Sequence, residues 1–385
     1  VYESDVVRVE TLDVAAELRL ACLWRSAVCI EQLEVGSTLV QWKGGEWRQG
    51  PARLALRLSD SSIDVRRAVV DSAVLELRED QPAPATRERF SLPVIDLPLE
   101  LSVDELLLRA PRWDIYGAQA VHDELLLRGR WGGTRLEIAE LRTSAAEMGS
   151  LALAGNIRFR DDWPLDAQGE VRVTYADFWE GLREQPVTYA LSGSLENLGV
   201  EATSTGRPAL DLQAELAVLD PQLPFKAWLE AKGQEAFAVG EVLSLPPPVD
   251  GLALELPWRG VVNGSMQHQS FELQGALLGS GYQRLALDLS GSHSEGVVQL
   301  DALQLRDSDG ESQLEARGEV RLGETFSLAL SLNSDGMNLP AFADPLTGRV
   351  SGELALALEI AEQNWQLAAS DIYLQGEINS LPASA

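Results

Sequence analysis

Apolar residues recur at every second position along most of this chain, and that period is the signature of strands with one apolar and one polar face. Leu97, Leu99, Leu101 and Val103 alternate with Pro98, Glu100, Ser102 and Asp104, and Leu151, Leu153, Ile157 and Phe159 with Ala152, Ala154, Arg158 and Arg160. The scheme returns in Val171 and Val173, in Leu212 and Leu216, and in Leu285, Leu287 and Leu289. It returns again in Phe326, Leu328, Leu330 and Leu332, and in Leu354, Leu356, Leu358 and Ile360. Strands of a parallel sheet covered by helices would read as continuous apolar runs, so the alternation predicts an all-β, antiparallel fold. Helix signals are sparse. The best is Tyr175 to Leu182, two turns at most, with Thr174 as cap and Pro186 as stop.

Turn residues punctuate the runs at Gly132-Gly133, Asp161 to Pro164, Asp220-Pro221, Ser334-Asp335-Gly336 and Asp344-Pro345, which read as hairpin turns. A glycine ahead of a polar-apolar couplet recurs at Gly155, Gly169, Gly193, Gly318 and Gly376, and suits strands that begin or bend there. The polar stretch Arg78 to Arg89, with two prolines, reads as a loop between subdomains, whereas Leu245 to Gly251 is short enough to be a turn within one sheet. The expected organisation is an N-terminal β region over 1–80, a linker over 81–92 and a continuous sheet region over 93–385.

With 59 acidic against 31 basic residues and a formal net charge of -28, the surface repels phosphate backbones and anionic headgroups. Nucleic acid is thereby excluded as a partner, and any lipid contact must be apolar. No stretch approaches the roughly 20 apolar residues of a membrane-spanning helix. The chain begins at Val1, already in a strand-like run, and reads as a piece of a longer protein whose anchor would lie outside it. His122, His268 and His293 are scattered and read as surface residues, with no metal-ligand or nucleophile spacing around them. Asp161/Asp162 and Asp307/Asp309 could act as an acid and nucleophile pair in a β-helix hydrolase, but both sit beside turn residues where Asp is common. No cofactor is expected and the chain is read as non-enzymatic. Cys22 and Cys29 either staple two strand ends across a turn, worth about 2.5 kcal/mol for a loop of that size, or are two buried thiols.

No helices are available to cover the apolar faces, so those faces must meet another sheet, close on themselves, or remain as a groove. Stripes of Leu, Val and Ala fill a sandwich core as readily as they line a trough for acyl chains.

Three passages resemble the TamB family, within the wider AsmA-like group of bridge-like proteins. They are Cys22 to Leu33, the linker followed by Leu97 to Val103 and Leu106, and Gly155-Asn156-Ile157 running to Asp162-Trp163-Pro164-Leu165. Gly376 to Asn379 with Leu381-Pro382 looks like the family's recurring strand starts. The resemblance implies a long curled sheet, a β-taco or U-shaped groove with few short helices. Its function would be conduction of phospholipids between inner and outer membrane through the periplasm of a Gram-negative cell. The alternative it carries is a scaffold for insertion of outer-membrane β-barrels with TamA. It further implies that the Cys22/Cys29 pair is a disulfide, and that the inner-membrane anchor and the domain contacting TamA lie outside this chain. The alternating residues named above, from Leu97 to Ile360, would line the groove.

Overall fold

The computed structural model describes residues 2–3, 7–19, 21–22, 27–78, 91–115, 117–146, 148–174, 185–233, 236–238, 252–279, 282–307, 310, 313–321, 325–342, 347–361 and 364–384. The expected short helix at 175–182, the body of the linker, the 245–251 turn and the Asp344-Pro345 turn lie outside the described residues.

The chain is nearly all β, in two compact units. The first contains β1 (Tyr2–Glu3), β2 (Val7–Arg19), β3 (Val28–Trp42), β4 (Gly45–Gln49), β5 (Ala52–Leu58), β6 (Ser62–Val70), β7 (Ala73–Leu77), β8 (Leu97–Arg109), β9 (Pro111–Ile115), β10 (Ala118–Val121), β11 (Glu124–Gly133), β12 (Arg135–Ala145), β13 (Gly149–Arg158), β14 (Leu165–Val173) and β15 (Pro186–Gly193). After β16 (Leu198–Ser204), the second holds β17 (Ala209–Leu216), β18 (Phe225–Lys232), β19 (Phe237–Ala238), β20 (Leu252–Gly264), β21 (His268–Gly279), β22 (Tyr282–Ser294), β23 (Val297–Arg306), β24 (Gln313–Arg321), β25 (Thr325–Asn338), the four-residue helix α1 (Leu339–Phe342), β26 (Arg349–Ala361), β27 (Asn364–Ile378) and β28 (Leu381–Ser384).

In the second unit the sheet is a meander, each strand from β20 to β28 pairing antiparallel with the next. The first unit departs from the antiparallel expectation at one place. There β6 lies parallel to β8, and β7 parallel to β9. Parallel neighbours need a crossover connection of a dozen or more residues, and the Pro-containing segment between β7 and β8 supplies that length. It leads from β7, which pairs with β4 and β9, to β8, which pairs with β6 and β11. On the far side, residues 91–96 are tied to the β13 end, where Ile95 N–H donates to Phe159 O at 3.0 Å and Trp163 Nε1 to Pro93 O at 3.1 Å.

The principal buried cluster is small: Val35, Ala52, Val70, Ala73 and Leu108, with Leu54, Trp47, Trp113 and Leu125 packed against it. A disulfide joins Cys22 to Cys29, Cα to Cα 5.8 Å, and closes the connection between β2 and β3. Of the expected turns, Asp161 and Trp163 do take positive φ at a chain reversal, but Ser334-Asp335-Gly336 lies within β25. Gly336, at φ 60, accommodates a shift of register there instead of a hairpin. The recurring glycines sit inside strands more often than at their starts, as Gly155 in β13, Gly169 in β14 and Gly318 in β24 show.

Candidate functional site

Register places the alternating apolar residues in rows that run straight across successive strands. In the first unit one row reads Leu54, Ala68, Leu106, Leu127, Leu141, Leu153, Gly169 and Tyr189. Beside it runs Leu56, Val65, Val103, Gly129, Ile138, Gly155, Ala167 and Leu191. Flanking rows bring Leu101 beside Ile63 and Trp131, Ile157 beside Leu136 and Leu165, and Leu151 beside Val171. Leu97 faces Gly133, Leu99 falls in the register irregularity next to it, and Val173 faces Gly149. Phe159 lies past the end of β13, its ring between Trp131 at 5.4 Å and Trp163 at 4.9 Å.

The second unit repeats the construction. Leu212, Leu229, Gly260, Leu273, Leu289, Leu303, Ala316, Leu332 and Leu354 form one row. The next places Leu330 between Gly318 and Leu356, and a third places Leu328 between Val320 and Leu358 and continues through Val298, His293, Gln269 and Gly264 to Phe225 and Leu216, so that it is polar in its middle. Phe326 is in register with Ile360, and Leu287 with Gly275 and Leu305. Leu285 pairs with Leu277 one step beyond.

These rows hold because several strands carry one extra residue at matching heights. Between Val65 and Ala68, Val103 and Leu106, and Ile138 and Leu141, two residues stand where alternation allows one, and the register shifts there. Such bulges bend the strand while keeping the apolar residues on one side. The bulged side chains turn to the other face. There Arg67 pairs with Glu105 at 3.0 Å, Glu105 with Arg128 at 3.6 Å, Arg128 with Glu140 at 2.8 Å and Glu140 with Arg142 at 2.7 Å, an ion ladder across four strands. In the second unit Lys232 bridges Asp211 and Glu230, and Arg259 also reaches Glu230 at 3.0 Å. Hydrogen bonds from Arg259 and then Lys232 hold the Glu230 carboxyl below its usual range, and the bond to Asp211 first, then Glu230, raises Lys232. The same face of the first unit buries Glu46 between Arg48 and Arg78.

Aromatic rings lie over glycines on the apolar side. A Cβ at Gly169 would meet the Tyr189 phenol carbon at 2.7 Å, one at Gly275 the Trp258 indole at 2.5 Å, and one at Gly291 the Phe271 ring at 2.6 Å. Their polar atoms are tied down: Tyr189 Oη donates to Ala152 O at 3.1 Å and Trp258 Nε1 to Ala276 O at 3.3 Å. Burial pushes the Tyr189 phenol above its usual pKa. The rings thus fill the dents that glycines leave and present carbon to the wall.

Most wall leucines are only half-buried, where the core of a sandwich would bury them fully. On the flanking strands they are open: Val14 and Leu18 of β2 are both 58% exposed, and Leu367 of β27 is 61% exposed. An apolar surface this extensive marks a site of interaction.

Two of the histidines read as surface residues are half-buried and hydrogen-bonded. His122 Nδ1 lies 2.8 Å from Thr143 Oγ1, and His293 Nδ1 lies 2.6 Å from Gln269 Oε1 at the lip of the apolar rows. Of the carboxylates, Asp162 accepts from Ser194 Oγ in a turn, and Asp307 is buried beside the end of β23. Among the described residues no group of three or more His, Cys, Asp or Glu could hold a metal ion, and no helix is long and apolar enough to cross a membrane.

Over residues 54–385 the sequence matches the family described as TamB, N-terminal domain. The chain belongs to the TamB family. Membership gives it a periplasmic role in assembly of the outer membrane. No solved structure matches this TamB-family chain.

Proposed function

We propose that this TamB-family chain is a passive conduit for phospholipid, with acyl chains lying along the apolar rows and headgroups kept in the water at the lips. The supporting observation is that apolar side chains, with glycine and alanine among them, stand in lateral rows across successive strands while most of the leucines remain half-exposed. Each methylene taken from water onto such a wall is worth about 0.8 kcal/mol. Because one row resembles the next, a bound chain can move along the wall with little change in free energy. No covalent step is needed, and the acidic charge favours contact through the acyl chains over capture of anionic headgroups. On this reading the inner-membrane anchor and the TamA contact belong to other segments of the full protein.

The test is native mass spectrometry of the purified chain, with photo-crosslinking from Leu328 and Leu356 on the wall and Glu319 on the opposite face. Phospholipid adducts from the two wall positions and none from Glu319 are expected. Equal labelling from both faces, or none, would reject the conduit. The alternative role, a scaffold for outer-membrane β-barrel strands, predicts protein adducts in place of lipid adducts. Barrel-protein adducts along Asn364–Tyr373 would support it.

A further inference from the structure

One row of the first unit changes character along its length. Val35, Ala52, Val70 and Leu108, in register on β3, β5, β6 and β8, are 9, 2, 5 and 6% exposed. At one end the row continues to Val14 of β2, which is 58% exposed. At the other it runs through Leu125 and Thr143 to Leu151 and Val171, all half-buried. Register is the same throughout, so the difference comes from what lies over the middle of the row.

The strands of that stretch run on past a common interruption. β5 gives way to β4 at Gly50-Pro51, β6 to β7 at Asp71-Ser72, β8 to β9 at Ala110, and β11 to β10 at His122-Asp123. Backbone bonds carry the sheet across it: Gly50 N–H donates to Ser72 O at 2.9 Å, Asp71 N–H to Pro51 O at 3.0 Å, and Ala110 N–H to Asp123 O at 2.8 Å. Ala110 turns the chain at φ 45, and Pro111 behind it is fully buried. Beyond the interruption Trp47 of β4 and Trp113 of β9 stand on either side of Leu75 of β7. Ala73 of β7 belongs to the same buried cluster as Val35, Ala52, Val70 and Leu108, and both indoles, 6.4 Å apart, pack against that cluster. The strand ends therefore cover the row, and this corner of the sheet is closed on itself.

The covered stretch gives out at a polar step. Trp113 meets the His122 ring edge-on at 6.3 Å, and His122 Nδ1 lies 2.8 Å from Thr143 Oγ1, which stands in the row between Leu125 and Leu151. A hydrocarbon chain gains free energy only where it takes apolar surface out of water. Half-buried Leu151 and Val171 have such surface to give, and the covered residues have almost none.

We propose that the acyl path of the first unit ends at this step. The last acyl-chain seat is the half-buried wall of β12 to β14, with Leu141, Leu151, Leu153 and Val171, and the corner from β3 to β9 takes no lipid. This rests on the conduit reading and adds to it where the path stops.

The experiment uses the whole chain with phosphatidylcholine vesicles bearing a diazirine on one acyl chain, and maps the photo-adducts by peptide. In the native chain the peptides spanning Val69–Ala73 and Leu106–Leu108 should be labelled at least fivefold less than those spanning Ser150–Ile157 and Gly169–Val173. Trp113→Ala uncovers the corner and should raise labelling of Leu106–Leu108 at least threefold, whereas Trp113→Phe keeps a ring there and should leave it at the native level. Amide exchange in β12 to β14 at the native rate shows that the sheet persists in both variants; if Trp113→Ala does not fold, the comparison within the native chain decides alone. Labelling of the corner at the level of β13 and β14 in the native chain overturns the closed end and leaves the conduit standing. No rise at Leu106–Leu108 in folded Trp113→Ala overturns the cover by the rings. Absence of labelling at every wall peptide in every chain overturns the conduit and the closed end with it.

Discussion

The two faces of the same strands are built on opposite terms. On one side the rows hold Leu, Val, Gly and ring carbon, with tyrosine and tryptophan polar atoms turned back to backbone oxygens. On the other, Arg67, Glu105, Arg128, Glu140 and Arg142 alternate in sign across four strands. A charged face left in water carries no penalty, whereas an apolar face left half in water forgoes burial that a second layer would provide. The sheet is held by its backbone ladders and lateral contacts, and the apolar face is left half-open.

The largest expected effect comes from making one inner position resemble the outer face. Leu330→Asp places a carboxylate midway along a row, next to Leu356, at a half-exposed site where the ion stays hydrated and the chain folds. Lipid transfer between vesicles should fall more than tenfold. Its neighbour Ser331, on the exposed outer face, gives the control: Ser331→Asp should leave transfer within twofold. Equal loss in both variants would mean that the faces do not differ in function.

A smaller effect should follow from roughening the wall without charging it. Gly275→Val drives a branched side chain into the Trp258 indole, which a Cβ alone would approach to 2.5 Å. Overpacking of this kind typically costs about 1–3 kcal/mol, read as a lowered midpoint in urea. Trp258→Ala in the same background removes the obstruction, so the double variant should be less destabilised than the sum of the two single ones. Strict additivity would show that ring and glycine do not form a unit.

How far these faces can be read from the sequence depends on the strand. Unbroken alternation, as in Phe326, Leu328, Leu330 and Leu332, assigns strand and face together, because side chains two apart must share a side. The bulged strands are harder. Val103-Asp104-Glu105-Leu106 and Ile138-Ala139-Glu140-Leu141 break the period, and a strict two-residue rule assigns Leu106 and Leu141 to the wrong face. The signal was present as a tetrad with apolar ends recurring in neighbouring strands; its meaning depends on register, which pairs those tetrads across the sheet. The parallel pairing of β6 with β8 is illegible for the same reason, since it depends on where the crossover lands. Nor does local pattern show that α1 lies against β22, a contact between elements some fifty residues apart.

Weakening the outer ladder should matter less than any change to the wall. Glu105→Gln removes the charge that faces both Arg67 and Arg128, at a side chain 30% exposed. Exposed ion pairs contribute up to about 1 kcal/mol, so denaturant stability should drop by no more than that and lipid transfer should stay unchanged. A loss of several kcal/mol would reveal the ladder as a principal support of the sheet.

The smallest effect is the pH response of the same face. Glu230 is held below the usual carboxylate range, first by its hydrogen bond from Arg259 and then by that from Lys232, so its folded form binds a proton less readily than its unfolded form. The stabilisation is therefore fully present above the unfolded value near 4.5 and is lost as the pH falls through the lower folded value. Native and Glu230→Gln chains should differ in denaturation midpoint at pH 6, and the difference should shrink between pH 4.5 and pH 3. Because Glu230 is partly exposed, salt should shrink it as well. A difference that persists at pH 3 in high salt would assign the role of Glu230 to packing, and would blur the division between a face held by charge and a face held by carbon.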